Sequence, residues 1–188
     1  MSRKRGSLLF DSCICLLLIS AMPDFSLAKG EGDTTGGREE ELTALREKRD
    51  RFFKEDANSP LKEVDRKNFK GLLYYPINLR YAMTGSVERY PIEPKPIYVD
   101  LPTNKKRDKK YVKYGRFKFK WEEKNYFLQI YRPLGGGELF LPFKDKTSGV
   151  ETYSGGRYLH IEPMPGGKVL IDFNRAYHPF CVYSEKYT

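Results

Sequence analysis

"YVKYGRFKFKWEEKNYFLQIYRP", residues 111–133, decides the fold of this chain. Its first half places Val112 and Tyr114 at even positions, then Phe117, Phe119 and Trp121 at odd positions after Gly115. Neighbouring strand residues point to opposite faces, so an unbroken strand would split these two sets. One extra residue at Gly115 reunites them on one face, which predicts a β-bulge there. Residues 122–125 turn the chain into 126–131, which is apolar on both faces except for Gln129. This second run is predicted as a central strand, with 111–121 as its hairpin neighbour.

Further strand-sized runs lie at 80–87, 97–101, 138–141, 158–162 and 169–173, separated by Pro, Gly and Asn. Pro165-Gly166-Gly167 reads as a second hairpin turn, joining 158–162 to 169–173. Upstream, a helix is expected from Arg38, with Leu42, Leu45, Phe52 and Phe53 near one face and Glu47 four residues before Arg51. It packs on the β core or meets a partner. Asn58–Leu61 resembles a helix start with Ser59 as cap, leading to a short turn through Val64. Twelve Phe and fourteen Tyr supply a core that favours strands. The expected fold is mainly β within the α+β class. It is an antiparallel barrel or strongly bent sheet, with the N-terminal helix packed on it, in one domain over 38–188.

The chain has 188 residues, a net charge of +9 and 31% charged residues, which argues against a transmembrane span. Arg3-Lys4-Arg5, the apolar run 13–21 and Ser26-Leu27-Ala28 have the pattern of a signal peptide cleaved after Ala28. Residues 29–37 read as a flexible linker. Export to the periplasm or the extracellular space follows, and the mature chain would carry +8. Cys181 is then its single cysteine in an oxidising compartment, where cysteines usually pair.

Lys105, Lys106, Arg107, Lys109 and Lys110 crowd one loop and form a candidate anion-binding patch. The plainer reading is a solvated basic loop. No nucleic-acid-binding signature is present. Gly135-Gly136-Gly137 lacks the Lys-Ser/Thr of a phosphate loop. His160 and His178 lack zinc-site spacing, so no metal and no cofactor are expected. Asp172 ends the apolar run Val169-Leu170-Ile171 and shares a face with Asn174. A carboxylate placed there is paired or functional. Arg157 is its expected partner, either in an ion pair ordering the sheet end or as an anion clamp beside an Asp172 base. Thr152, Tyr153 and Tyr177 complete this candidate cluster.

The stretches "FKDKTSGVETYSGGRYLHIEP" from Phe143 and "VLIDFNRAYHPFCVY" from Val169 resemble the signature region of the bacterial and archaeal family known as domain of unknown function 1684. "FFKEDANSPL" at Phe52 and "FKGLLYYPINLRY" at Phe69 resemble its N-terminal part. The resemblance implies motif positions at Thr147, Thr152, Tyr153, Gly156, Arg157, Tyr158, Asp172, Asn174, Tyr177 and Cys181. It implies no activity. It also implies a C-terminal end that this chain lacks, including a cysteine that would partner Cys181 in a disulfide or at a metal. Three functions stay open: an exported binding or scaffold module for an anionic small molecule or envelope polymer; a hydrolase-type enzyme using Arg157, Asp172 and Asn174; and a truncated remnant. Oligomeric state is not legible.

Overall fold

The hairpin at the centre of the sequence is the centre of the sheet. In the computed structural model, which describes residues 14–15, 35–91, 98–100, 110–161 and 163–187, strand β4 (Lys110–Trp121) pairs with β5 (Lys124–Pro133) along its whole length. The register shifts between Lys113 and Gly115, so Tyr114 is the extra residue of a bulge. Tyr114 therefore packs against the same core as Phe117 and Phe119, as the alternation requires. Gly115 is needed for a second reason. A Cβ there would sit 2.5 Å from the Glu88 carbonyl oxygen and 2.7 Å from Val87, on the strand that crosses at this point.

The other strands are β1 (Ile14–Cys15), β2 (Ala82–Arg89), β3 (Tyr98–Asp100), β6 (Leu139–Asp145), β7 (Arg157–Ile161) and β8 (Lys168–Asp172). Six of them form a curled, half-barrel antiparallel sheet in the order β7-β6-β5-β4-β2-β8. β3 shares the β2 edge of β4, and β1 runs parallel to Lys144 and Asp145 at the end of β6. The bulge supplies local twist where the sheet must bend. The concave face holds the main core of Phe117, Leu128, Ile130, Leu141, Ile161 and Ile171, with others around them.

Two expectations need correction here. Pro165-Gly166-Gly167 does turn the chain, but β7 and β8 are not a paired hairpin. Among the described residues the Pro163–Val169 bridge and the Met164 N–H to Lys168 carbonyl bond tie their ends, while β7 pairs along its length with β6 and β8 with β2. The turn instead brings the two outer strands of the curled sheet together. Ser59 does not open a helix. Its hydroxyl donates to the Phe53 carbonyl at the end of helix α1 and accepts from Leu61 N–H, while helix α2 begins later, at Glu63–Asn68.

Helix α1 (Thr35–Glu55) starts inside the expected linker, and its buried stripe is Leu42 and Phe53. Phe53 packs edge-on against Phe180 and Tyr183, which docks the helix on the C-terminal segment. Glu47 and Arg51 pair at the surface, 4.0 Å apart. The leader, apart from Ile14–Cys15, and the rest of the linker lie outside the described residues, as do Lys105–Lys109. Among the described residues no helix is long and apolar enough to cross a membrane.

Candidate functional site

Two strands end on buried aspartates that do the same local job. At the end of β6, Asp145 Oδ1 accepts from Thr147 N–H at 2.9 Å and from the Thr147 hydroxyl. At the end of β8, Asp172 Oδ1 accepts from Asn174 N–H at 3.0 Å and from the Asn174 side-chain amide at 2.8 Å. A short acidic side chain that captures the N–H two residues on is the usual way to turn a chain sharply out of a strand.

Their outer oxygens differ, and this corrects the expected pairing. Arg157 forms its ion pair with Asp145, not with Asp172. The pair is largely shielded, with the Arg157 and Asp145 side chains 15% and 5% exposed. Leaving the loop between them, the chain passes Gly156, where a Cβ would meet the Phe143 carbonyl oxygen at 2.4 Å and where φ is +98°. That close approach sets the Arg157 strand against β6. Asp172 instead faces Arg38 of α1 at 3.7 Å, with its own side chain 2% exposed. Its Oδ2 has no hydrogen bond within the chain. Asn174 is consumed too. Its amide bridges to the Asn78 backbone through Asn78 N–H at 2.9 Å and Asn78 O at 3.0 Å.

The loop holds the other predicted cluster members. Thr152 lies 3.0 Å from Thr147 across the turn, hydroxyl to hydroxyl. The backbone N–H of Tyr153 donates to His178 Nε2 at 3.5 Å. Burial, and then the nearby Arg157 charge, holds the His178 imidazole below its ordinary range. Thus Arg157, Thr152 and Tyr153 stand together at one strand end, and Asp172 and Asn174 at another.

Tyr177 belongs elsewhere. Its backbone bridges to Tyr158 in both directions, which lays its ring on the outer face of the sheet. Arg49 of α1 donates to the carbonyls of Arg175 and Ala176 and lies 5.6 Å from the centre of the Tyr177 ring, so the helix fixes this segment. The Tyr177 hydroxyl is 2.6 Å from His160 Nε2, and His160 Nδ1 is 3.5 Å from Glu138 Oε2. The Tyr177 and His160 rings stack, nearly parallel, 5.5 Å apart. Burial pushes the Tyr177 hydroxyl far above the ordinary tyrosine range, so it keeps its proton at any ordinary pH.

His160 and Glu138 edge a cleft. Phe140 sits directly between Tyr131 and His160 across β5, β6 and β7, and Tyr111 packs on it at 5.2 Å. Tyr111 and Phe140 form an aromatic floor; Lys110, Glu138, His160 and the Gly135-Gly136 turn form the walls. Lys110 is the described member of the basic run. The Tyr111 and Phe140 rings are themselves only 6% and 8% exposed, so the cleft meets their margins beside cationic and hydrogen-bonding groups. Among the described residues no group of His, Cys, Asp and Glu is arranged to hold a metal ion. Cys181 is a free, half-buried thiol.

Glu138 and His160 escaped the sequence reading as a pair. A signal did exist. Phe140, Tyr158 and His160 all fall out of the apolar register of Leu139, Leu141, Leu159 and Ile161. An outward strand face made of aromatics rather than charges calls for a partner.

A family model described as a protein of unknown function, DUF1684, matches residues 67–188. No curated protein matches the chain. Among solved structures, it is similar to an uncharacterised protein of Haloarcula marismortui determined by solution NMR, with 35% sequence identity and a TM-score of 0.62. That likeness covers 82% of this chain and 85% of the other. With the family match spanning the sheet, the two aspartate turns and the Tyr177 segment, this chain belongs to the DUF1684 family of proteins of unknown function.

Proposed function

We propose that this chain is an exported binding module whose outer-face cleft takes a small anionic ligand. The observation that carries this reading is the cleft's composition. Lys110 and His160 stand at its edge for an anionic group, beside the margins of the largely buried Tyr111 and Phe140 rings. Glu138 faces the same space, but it lies against His160, which offsets its repulsion of an anion when the imidazole is charged. Export is supported by the sequence pattern of residues 1–28. The motif acids and Arg157 support a scaffold role, because they hold one another and the backbone.

The test is calorimetric titration with benzenesulfonate, compared with benzyl alcohol as an uncharged ring of similar size. Benzenesulfonate binds and benzyl alcohol binds at least tenfold more weakly, a difference of about 1.4 kcal/mol. Lys110→Gln reduces the sulfonate affinity and leaves the alcohol unchanged. Equal affinity for both probes, or none for either, overturns the reading. Export is tested separately: N-terminal sequencing of secreted protein should begin at Lys29, and retention of residues 1–28 in a cytosolic fraction contradicts it.

A further inference from the structure

We infer that the outer face of the β4–β5 hairpin is a second binding surface, which takes a linear polysaccharide bearing carboxylate or sulfate groups. The register fixes which side chains share this face. Phe117 and Leu128 point into the core, so their strand neighbours Arg116, Lys118 and Phe127 point away from it. Arg116 stands opposite Gln129, Lys118 opposite Phe127 and Lys120 opposite Asn125. Three cations therefore run down β4 at steps of about 6.5–7 Å, the spacing of alternate residues on one strand face. On β5 an aromatic ring and a neutral amide accompany them. Phe127 is 41% exposed, where a sheet face turned to water ordinarily carries a polar side chain. Lys118, Lys120, Asn125 and Phe127 border one depression in the surface. The Arg116 guanidinium lies 5.9 Å from the centre of the Phe127 ring, so ring and charge are already side by side.

The acids on this face decide the kind of polymer. Glu88 of β2 lies 2.8 Å from Lys118 and 3.5 Å from Arg116, and Glu123 of the hairpin turn pairs with Lys120. These side chains are all at the surface, and ion pairs in water are weak, so an anionic group can bridge or displace them. A nucleic-acid strand carries a charge on every unit and calls for an unbroken basic track with several stacking rings. Here two carboxylates interrupt the track and one ring is broadly exposed. An acidic polysaccharide fits that mixture. Its charged groups meet Lys118 and Lys120, its hydroxyls meet Asn125 and the carboxylates, and the apolar face of a sugar ring lies on Phe127. Gln129 takes no part, because its amide is held by the Tyr90 hydroxyl and by the carbonyls of Gly115 and Ile130. The surface shares no residue with the cleft edged by Lys110, so the two readings stand or fall separately.

The experiment measures binding of polygalacturonate, of uncharged dextran and of a thymidylate oligonucleotide to the full chain across a range of salt concentrations. Polygalacturonate binds at least about tenfold more tightly than dextran, and more tightly than the oligonucleotide. The double variant Lys118→Gln, Lys120→Gln loses about tenfold in affinity for polygalacturonate and flattens its salt dependence. Phe127→Ala weakens the same binding and leaves the salt dependence as it was. Lys67→Gln, which removes an exposed cation from α2, changes neither. Thermal melts establish that each variant is folded. Polygalacturonate binding no tighter than dextran overturns the inference, as does a double variant that binds like the wild type. Tighter binding of the oligonucleotide also overturns it, and would make this face a nucleic-acid surface.

Discussion

The two polar regions of this molecule are built on opposite plans. Beneath the loop ends, the buried Asp172 and the partly buried Asp145, Arg157 and Asn174 are matched to one another, to the backbone or to α1. On the outer face, His160 and Glu138 are about half exposed, at 46% and 54%, and loosely engaged. Buried charges without partners are costly, so the first region must be satisfied for the chain to fold at all. The second region need not be, because its groups keep part of their surface in water. The difference teaches that a striking acidic motif can be architecture, while chemistry collects on a less conspicuous strand face.

The largest effect should fall in the buried region. Arg157→Ala leaves Asp145 ionised without its partner and should lower unfolding stability by about 3–5 kcal/mol, measured in urea. A loss under about 1 kcal/mol would put this pair in the same class as the cleft. Gly156→Ala should come next, at roughly 2–3 kcal/mol or more, because φ is +98° and the Phe143 carbonyl blocks a Cβ. Arg38→Ala should cost less than Arg157→Ala, about 1–3 kcal/mol, since Arg38 stands 3.7 Å from Asp172 and is itself 25% exposed. Equal costs for the two arginines would mean that α1 holds Asp172 as tightly as the loop holds Asp145. At the small end, His160→Asn should change stability by no more than about 0.5 kcal/mol while weakening sulfonate binding.

The pH profile of stability sharpens the same contrast. His178 has a folded-state value below its unfolded one, through burial and then Arg157, so the unfolded chain binds more protons. Its contribution is present above about pH 6.5 and is lost as pH falls through the folded value. Tyr74 is pushed up to about 12 by burial and by Asp50, so its contribution is lost as pH rises from about 10 through that value. Thermal melts across pH should show both losses. His178→Gln should flatten the acid side, and Tyr74→Phe the alkaline side. Unchanged profiles in these variants would remove both groups from the account.

The central hairpin was readable because a period-two pattern that changes parity at a glycine has one economical solution, and the Tyr114 bulge is that solution. The pairing of β8 with β2 was not readable. Residues 165–167 do make a turn, and a local sequence carries no sign that both flanking strands already have other neighbours. Asp172 was identified as a carboxylate that must be satisfied. Its partner was misassigned to Arg157 because Arg38, 134 residues away on α1, is invisible to any local argument. Asp145 was missed altogether, since it follows Phe143-Lys144 in an unremarkable charged stretch. Tyr177 was selected with the wrong companions. Its true neighbours, His160 and Glu138, converge only when β7 folds against β6.

The most direct test of the division between architecture and cleft is a map of where benzenesulfonate perturbs the amide and side-chain spectrum of the folded chain. The account predicts shifts centred on Lys110, Tyr111, Phe140, His160 and Tyr177, with Asp145, Arg157, Asp172 and Asn174 unmoved. Shifts centred on Arg157, Asp172 and Asn174 would contradict it, and would make the buried acidic motif the binding site.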